Sequence, residues 1–411
     1  MLKLLLRLSA RNAQRRRVRS LLTISMVAVG VALLLVSLAY LEGVLGTALA
    51  EAAGAAGHVR IVQPGYAKRE QLLPLHENIP DVASVIGALQ AHPDVVDVFP
   101  KIATAVTVTA DEEIGDIFGL AIGADPAYFD AYLGVRDELV AGGWFTGAKE
   151  ELLLGAQLAE KTGAGVGDEI VLLGMTQYGS MSPIKGRVVG IVGKLGALEK
   201  QILLPLDRLQ WLADMAGGAT EILVFGREYQ QAQRLADRLT SPELRGYDIA
   251  AWNQRAPFNA LSGMAGAVSG VIASIVVFLV ALGIWNTMMM SVLERTHEIG
   301  VMRAMGLNPP GAVALFLVEG LAIGFIGSLV GIALGALPAW LLEIYGINLG
   351  EQTARQMSAT VPVPATVHAD LTPELMVWSF LLGLVMAVLG GTLPAIHAAR
   401  IQPVAAMRSG R

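Results

Sequence analysis

The sequence contains no cysteine among its 411 residues, so no disulfide braces the chain and no thiolate can bind a metal. A phosphate-binding GxxxxGK(S/T) loop is missing as well, because the Gly193-Lys194 pair is followed by Leu195 instead of a hydroxyl residue. HExxH, GxSxG and Cys/His metal motifs are absent from the sequence. These absences predict a chain without catalytic or metal-binding residues that cannot hydrolyse ATP by itself.

Charged residues are scarce, at 16%, whereas hydrophobic residues make up 54% of the chain. The hydrophobic residues concentrate in four runs, each close to or above the about 20 residues that cross a ~30 Å hydrocarbon core. The runs occupy 21–45, 268–290, 312–339 and 375–393, and they predict four transmembrane helices. Ala48-Leu49-Ala50 also fits a signal-peptide cleavage site, but the run before it exceeds the about 7–15 apolar residues of such peptides, so we expect a retained helix.

The N-terminal segment, 1–20, carries seven basic residues and no acidic residue. The positive-inside rule therefore places the N-terminus in the cytoplasm. Interspersed leucines favour an amphipathic helix at the membrane surface, with a simple topogenic charge cluster as the alternative. The tail after the fourth run is basic too, so we expect both termini on the cytoplasmic side.

Residues 46–260 contain no long apolar run and carry 17 Lys and Arg against 27 Asp and Glu, a net charge of −10. Such acidity fits a water-exposed domain on the far side of the membrane and does not fit a nucleic-acid partner. Hydrophobic periodicity predicts an α+β fold. The expected strands lie at 58–62, 103–109, 117–123, 169–173, 187–192, 221–225 and 247–251, and the expected helices at 81–91, 157–161 and 230–239.

A short polar stretch, 294–306, separates the second and third apolar runs. Glu294 and Glu298 lie four residues apart on one side of a predicted helix, whereas Ile299, Met302 and Met305 form an apolar stripe on another. Gly306 and the prolines that follow are expected to end this helix. Two interpretations of the stripe remain open: it lies on lipid headgroups, or it docks on a cytoplasmic partner.

The motif Glu294-Arg295, Glu298-Ile299-Gly300 and Arg303-Ala304-Met305-Gly306 resembles the "ER…EIG…RA.G" signature of FtsX/MacB/Lol-type (type VII) ABC transporter permeases. The resemblance implies a coupling helix that docks on an ATPase subunit. That ATPase partner would be present in two copies and would bind ATP and Mg. This chain would bind no cofactor. A second permease subunit, either an identical copy or a paralogue, would complete the complex. The coupling residues implied are Glu294, Arg295, Glu298, Ile299, Gly300, Met302, Arg303, Met305 and Gly306.

The same resemblance implies a large α+β extracytoplasmic domain between helices 1 and 2. Its porter-like part would comprise 55–108 and 218–255, with an inserted subdomain at 110–217. The loop 174–186 is too long for a tight hairpin and occupies the place where lipoprotein-releasing permeases carry a hook for a periplasmic carrier. The carrier-binding residues implied are Gln177, Tyr178, Met181 and Pro183, with an ordinary loop as the alternative.

Small residues recur at helical spacing in the second and third runs, where they permit close helix packing. The packing positions expected are Gly266, Gly270, Gly320, Gly324, Gly327, Gly331 and Gly335. Glu319 is expected to lie within the membrane, where an acid requires a partner or water. We expect a structural partner on a neighbouring helix, with a gating role as the alternative.

The predicted fold class is thus a membrane α-helical protein with four transmembrane helices and a large extracytoplasmic domain. The predicted segments are a basic helix at 1–20, helix 1 at 21–45, the large domain at 46–265, helix 2 at 266–290, the coupling helix at 291–311, helix 3 at 312–340, an outer loop at 341–373, helix 4 at 374–394 and a cytoplasmic tail at 395–411. Helix 4 is expected to end at Pro394.

The resemblance is strongest to lipoprotein-releasing permeases of the LolC/LolE kind, which lack a fused ATPase. It implies a multi-pass protein of the bacterial inner membrane that releases lipoproteins from the membrane to a periplasmic carrier. Two alternatives remain: efflux by mechanotransmission with an adaptor, and FtsX-like signalling to a cell-wall hydrolase without transport.

Overall fold

The computed structural model describes residues 17–109, 117–193, 196–239, 241–254, 258–348 and 366–402. Most of the predicted N-terminal basic helix, most of the outer loop and the tail after residue 402 lie outside these ranges. The described residues divide into two compact units. One unit contains long helices, and the other, the large domain, contains the described residues between Thr47 and Gly263.

The α-helices within the described ranges are α1 (Arg17–Ala56), α2 (Pro64–Lys68), α3 (Val82–Gln90), α4 (Pro126–Ala131), α5 (Ala156–Thr162), α6 (Leu206–Leu212), α7 (Ala232–Arg238), α8 (Phe258–Glu294), α9 (Thr296–Ala304), α10 (Pro309–Tyr345) and α11 (Pro373–Arg400). The strands are β1 (Val59–Val62), β2 (Val95–Thr109), β3 (Ile117–Ala124), β4 (Leu139–Gly142), β5 (Glu151–Gly155), β6 (Glu169–Met175), β7 (Met181–Val192), β8 (Gln201–Pro205), β9 (Glu221–Gly226), β10 (Asp248–Ala251), β11 (Ile347–Asn348) and β12 (Thr366–Val367).

Four of these helices, α1, α8, α10 and α11, are long and apolar enough to cross a membrane. Each extends beyond the predicted segment, because the helical hydrogen bonds continue past the ends of the apolar run. Helix α1 runs on to Ala56, so Ala48-Leu49-Ala50 lies inside it. The expectation that helix 4 ends at Pro394 is wrong, since α11 continues to Arg400. Pro394 is buried, and a proline inside a membrane helix is tolerated where neighbouring helices support that turn.

Glycines on α10 bring that helix close to two neighbours. A Cβ added to Gly324 would lie 2.4 Å from Cβ of Ala387 on α11. Cβ atoms added to Gly327, Gly331 and Gly335 would lie 2.7–2.9 Å from atoms of α1. Gly320 is less tight, with the carbonyl oxygen of Ala387 at 3.5 Å. Helix α10 therefore packs on α11 near one end and on α1 over the next three turns, through backbone approaches that larger residues would prevent.

Gly266 and Gly270 differ from these glycines. A Cβ at either position would meet no atom of the described residues within 4 Å. The prediction that they mediate packing is therefore wrong for contacts with the residues that the structure describes. The α8 segment is also the least covered of the four, with 11% of its most apolar window buried against 33–44% for the others. The small-residue pattern could be read from the sequence, but which helix faces another could not.

The large domain is built on a sheet with the order β10-β1-β9-β2-β3-β8-β5-β7-β4, in which β6 pairs with β2 and β7. Strand β1 lies between β9 and β10 and is antiparallel to both. The long strand β2 pairs with β9 through residues 95–101 and with β3 through residues 102–108. One strand thus joins the two parts of the sheet, and its residues 102–108, expected in the porter-like part, pair with a strand of the expected inserted subdomain.

The first strand and the two residues before it form a sequence motif, Gly57-His58-Val59-Arg60-Ile61-Val62, that packs into this sheet. Val59, Ile61 and Val62 are fully buried, and Nδ1 of His58 accepts a hydrogen bond of 3.1 Å from the Gly226 amide. Burial lowers the pKa of His58. The motif therefore stabilises the β1–β9 pair.

Glu221 on β9 is a buried acid at the centre of a charged cluster. Arg60 Nη1 lies 3.2 Å and Lys101 Nζ 3.5 Å from its Oε2 atom. Tyr66 donates a hydrogen bond of 3.2 Å to Oε1. Arg60 also pairs with Glu70 at 2.6 Å. This cluster links β1, β2, β9 and α2 across the sheet.

Three strands and three helices of the large domain were not expected from the sequence. Strand β5, Glu151–Gly155, is buried at every position and so lacks the alternation that identifies a half-exposed strand. Strand β8 is a similar short apolar run, and β4 has only four residues. Helices α2, α4 and α6 have five to seven residues, too short for a clear 3.6-residue period.

Candidate functional site

Helix α9 (Thr296–Ala304) lies between the membrane helices α8 and α10, at the position of the predicted coupling helix. A single residue, Arg295, separates it from α8, with backbone angles of φ −104° and ψ 13°. At its other end Gly306 adopts φ +105°. The Gly306 amide donates to the carbonyl of Arg303 and the Leu307 amide to that of Met302, both at 3.1 Å. This is a Schellman motif, which requires glycine at the left-handed position.

The next helix starts as abruptly as α9 ends. Asn308 caps α10, its Oδ1 accepting a 2.9 Å hydrogen bond from the Gly311 amide, and Pro309 follows as the first helical residue. Helix α9 is therefore bounded at both ends by defined turns, and its faces are fixed relative to α8 and α10.

The apolar side of α9 is covered by this chain's own helices. Ile299 is 1% exposed and packs in a cluster with Val292, Phe316, Ala395 and Ala398, from α8, α10 and α11. Gly300 is buried, and Met302 is half-buried against the same cluster. Both interpretations of the stripe, lipid headgroups and a partner, are therefore wrong for Ile299, because neighbouring helices already cover it. Gly300, which the resemblance assigned to the coupling surface, is buried as well.

Arg295 faces into the bundle. Its Nη1 atom lies 3.5 Å from Oε2 of Glu319 on α10, and both residues are 8% exposed. Arg295 was expected on the docking surface, and Glu319 was expected to have a structural partner; the structure pairs the two. A charge removed from water is tolerated when an opposite charge lies beside it, which accounts for an acid at this depth.

Arg303 is directed at the end of α11. Its Nη1 donates a 2.8 Å hydrogen bond to the carbonyl oxygen of Ala399 and a shorter one to that of Ile401. The last carbonyls of a helix have no partner within the helix and carry partial negative charge, so a guanidinium suits them. Helix α9 is thus attached at Arg295 to α10, at Ile299 to a shared core, and at Arg303 to α11.

The remaining coupling residues lie on the outer side of α9. Glu294, His297, Glu298, Ala304, Met305 and Gly306 are exposed, and the Met305 side chain is 76% exposed. We call this set the outer face of α9. It combines two carboxylates with a flexible apolar side chain, which is a composition suited to contact with another protein. Of the predicted coupling residues, Glu294, Glu298, Met305 and Gly306 belong to the outer face.

The predicted hook is a short hairpin. Strands β6 and β7 pair from Glu169–Arg187 to Met175–Met181, so most of the loop 174–186 is ladder and only residues 176–180 turn. The expectation of a long loop is wrong. The polar side chains and Pro183 in the sequence Gly174–Gly186 favour a loop, although most of these residues belong to the ladder. Pro183 lies within β7, opposite Leu173.

This turn is fastened to the large domain. The Gln177 amide donates to the Ala213 carbonyl at 2.8 Å, and the Gln177 side chain binds Asn78 and the Asp214 carbonyl. Tyr178 and Met181 are 77% and 59% exposed. An open groove of about 550 Å³ runs beside the turn, lined by Met181, Asp207, Trp211 and Asp214 among others. The sequence reasoning missed Trp211, which is 63% exposed; an isolated tryptophan in a short helix gives no local signal of exposure.

Four helices able to cross a membrane, the attached helix α9 and a large α+β domain between the first two define a membrane permease. Two family models match the chain: the MacB-like periplasmic core domain over residues 20–241 and the FtsX-like permease C-terminal domain over residues 270–403. The chain belongs to the FtsX/MacB family of ABC transporter permeases. Members of this family work in membranes together with ATPase subunits.

Individual relatives agree with this assignment. The chain is 29% identical over 271 residues to the lipoprotein-releasing system transmembrane protein LolC of Xylella fastidiosa, covering 62% of this chain and 64% of that protein. It is 33% identical over 140 residues to the macrolide export ATP-binding/permease protein MacB of Wolinella succinogenes, covering 34% of this chain and 19% of that protein. The chain spans about three fifths of the length of the first curated relatives it matches.

Among solved structures, the periplasmic region of MacB from Actinobacillus actinomycetemcomitans aligns with a TM-score of 0.34 and 15% identity. That alignment covers 48% of this chain and 89% of the other.

Proposed function

We propose that this permease converts ATP hydrolysis by a separate ATPase into mechanical work on a substrate outside the cytoplasm. The observation that carries the proposal is the attachment of α9 at Arg295, Ile299 and Arg303, together with the exposure of the Glu298 and Met305 side chains. A helix held in this way moves with the membrane helices when a partner pushes on it. Two permease subunits and two ATPases, which bind ATP and Mg, would form the complex, with both termini in the cytoplasm of a bacterial inner membrane.

The outer face of α9 is the surface that would receive the ATPase. Met305→Asp is expected to abolish co-purification of the ATPase, because it places a charge where an apolar contact is needed. Met175→Asp is the matched control, since Met175 is similarly exposed, at 52%, but lies in the large domain. Undiminished co-purification with Met305→Asp would refute this assignment of the docking surface.

The sidedness of α9 can be tested independently, because the chain has no native cysteine to interfere. Ala304→Cys in intact cells is expected to resist a membrane-impermeant maleimide and to react after the inner membrane is broken. Leu72→Cys in the large domain, where Leu72 is 76% exposed, is expected to react once the reagent reaches the periplasm. Labelling of Ala304→Cys from outside would overturn the proposal.

Lipoprotein release is the substrate assignment we favour. Its support is the extent of the match to LolC proteins, which reaches 72% of this chain for the Haemophilus influenzae protein. Efflux with an adaptor is the second candidate, supported by the higher identity to MacB over a shorter alignment of 140 residues. FtsX-like signalling is the third candidate, and the match of the FtsX-like permease C-terminal model to residues 270–403 is compatible with it. In each case the motion would be a hinge or shear movement of rigid elements.

A reconstitution experiment separates these functions. The permease and its cognate ATPase are placed in liposomes, and ATP turnover is measured with a synthetic triacylated lipopeptide, with a linear peptide lacking acyl chains, or with neither. Stimulation by the lipopeptide alone supports release, and stimulation by the unacylated peptide supports efflux. A rate unaffected by both favours signalling and contradicts transport.

The turn at residues 176–180 and its groove are the proposed place for a periplasmic carrier. Tyr178 and Met181 present exposed apolar area beside Trp211, and such residues dominate protein contacts. Tyr178→Ala together with Trp211→Ala should abolish carrier pull-down without altering the fold, because neither side chain is buried. Unchanged pull-down would rule this surface out. Deleting the loop would be a poorer test, since residues 181–182 belong to β7.

A further inference from the structure

A buried ion pair connects the start of α9 to the middle of the helix bundle. Arg295 Nη1 lies 3.5 Å from Glu319 Oε2, and each residue is 8% exposed. The Oε2 atom accepts no hydrogen bond from the residues that the structure describes, so Arg295 provides its electrostatic partner. Where water is excluded, separating such a pair is strongly unfavourable.

Three membrane helices meet at this pair. A small cavity of about 20 Å³ beside it is lined by Ser20 and Thr23 of α1, by Thr287 and Ser291 of α8, and by Arg295 and Glu319 themselves. Four hydroxyl-bearing residues therefore surround two charges inside an otherwise apolar bundle. The pair lies at the junction of α1, α8 and α10. A displacement of Arg295 would therefore act on all three helices.

The position of Arg295 in the chain gives the pair a mechanical consequence. Arg295 is the one residue between α8 and α9, and its ψ of 13° interrupts the regular helix. A break between two helices absorbs displacement by changing a few backbone angles, as hinges do. Because the side chain of the break residue itself is held by Glu319, this break is fixed to α10.

Helix α10 is packed in a way that carries displacement onward. One to four turns beyond Glu319, the glycines Gly324, Gly327, Gly331 and Gly335 hold α10 against α11 and α1 at distances that leave no room for sliding without collision. Helix α1 then continues without interruption to Ala56, and two residues separate its end from β1 of the large domain.

We propose that Arg295 and Glu319 are positioning residues that transmit displacement of α9 to α10 and, through the glycine contacts, to α1. The inference rests on the proposed function, in which an ATPase pushes on α9. It assigns the buried charge pair to coupling within the permease and leaves ATPase binding to the outer face of α9.

The test separates ATPase binding from movement. Paired cysteines for spin labels are introduced at Leu72 in the large domain and at Tyr345 at the end of α10, which are 76% and 75% exposed. In the complete complex with its ATPase, the label-to-label distance is measured with and without ATP. Glu319→Gln, which keeps the side-chain shape and removes the charge, is expected to retain the ATPase and to lose the ATP-dependent distance change.

Two further variants make the result specific. Glu343→Gln applies the same substitution to an exposed residue of the same helix and is expected to behave as the unmodified protein. Arg295→Glu combined with Glu319→Arg restores an ion pair in reverse orientation and is expected to recover the distance change. Stimulated ATP turnover should follow the same order and fall by about fivefold or more in Glu319→Gln, the lower end of ordinary coupling between sites.

The outcomes distinguish this inference from the proposed function. A full ATP-dependent distance change in Glu319→Gln, with the ATPase bound, overturns the inference and leaves the proposed function intact. Absence of ATPase binding or of any change in the unmodified protein overturns both. If Glu319→Gln does not accumulate in the membrane, the variant with the reversed ion pair is used instead. An ATP-dependent distance change of normal size in that variant supports the inference. No distance change in a folded, ATPase-bound complex of that variant refutes it.

Discussion

Replacing Glu221 by glutamine is expected to destabilise the strand pair β1–β9 from its centre. The Glu221 side chain is 4% exposed and lies within 3.5 Å of both Arg60 and Lys101. Glutamine has nearly the same shape but no charge. The substitution therefore leaves two cations near a neutral group in a part of the domain that water barely reaches.

The loss of stability in Glu221→Gln depends on the interactions that Arg60 and Tyr66 keep after the substitution. Removing one partner of a buried ion pair costs about 3–5 kcal/mol. The lower end applies here, because Arg60 keeps Glu70 at 2.6 Å and the amide oxygen of glutamine still accepts a hydrogen bond from Tyr66. A cost of about 3 kcal/mol corresponds to a roughly 150-fold increase in the opening equilibrium of the strand pair.

Hydrogen exchange of the β9 amides in the full-length, detergent-solubilised protein measures this opening. Exchange in residues 221–226 is expected to accelerate about 100-fold in Glu221→Gln. Glu228→Gln, an exposed residue two positions beyond the same strand, serves as the matched control and should leave exchange unchanged. Acceleration of less than about threefold in Glu221→Gln would contradict the reasoning, since a buried pair of this kind cannot be lost at so small a cost.

The same cluster predicts a pH dependence. Burial by itself would raise the pKa of Glu221, but Lys101 and Arg60 outweigh burial and hold that pKa below its ordinary value. A carboxylate with a lowered folded-state pKa stabilises the fold above its unfolded pKa of about 4.3, and this contribution disappears as the pH falls through the folded-state pKa. Protection of β9 should therefore decline below about pH 4 in the unmodified protein, and less in Glu221→Gln.

Three further substitutions test the packing of the helical unit, the first two by the melting temperature in detergent and the third by the yield of folded protein. Gly306→Ala should destabilise by about 1–2 kcal/mol because alanine is strained at φ +105°, whereas Gly87→Ala in mid-helix, with open space around it, should not. Ile299→Ala should cost about 2–5 kcal/mol by leaving a cavity; no change would mean that Ile299 is not buried. Gly331→Leu should prevent accumulation of folded protein, whereas Gly270→Leu should be tolerated.

The four membrane helices and α9 could be predicted because their signals are local. Run length identifies a spanning helix, and three-residue spacing of Ile299 and Met302 identifies an amphipathic helix. What covers Ile299 could not be predicted, since Phe316 and Ala395 are brought to it only by the packing of α10 and α11. An apolar stripe read in isolation therefore appeared available for a partner.

The contacts of the charged residues could not be predicted from the sequence either. The sequence indicated that Glu319 needs a partner and that Arg295 belongs to a family motif, but not that these two side chains meet. Similarly, the hairpin of β6 and β7 depends on a ladder whose residues include Pro183 and Gly186, both of which favour loops when judged singly. The chemistry of each side chain could be predicted from the sequence. The direction in which that side chain points is decided by tertiary packing and could not be predicted.

The position of β1 in the sheet has a consequence for how the protein is made. Val62 pairs with Glu221 on one side and Asp248 on the other, so the first strand to be synthesised waits for partners roughly 160–190 residues downstream. At about 5–20 residues per second, that delay is on the order of ten seconds to half a minute. During this interval the inserted subdomain can complete its own strands, whereas β1 remains unpaired at the end of a membrane-anchored helix. Assembly of the large domain therefore proceeds from its middle outward, and the edge formed by β10 closes last.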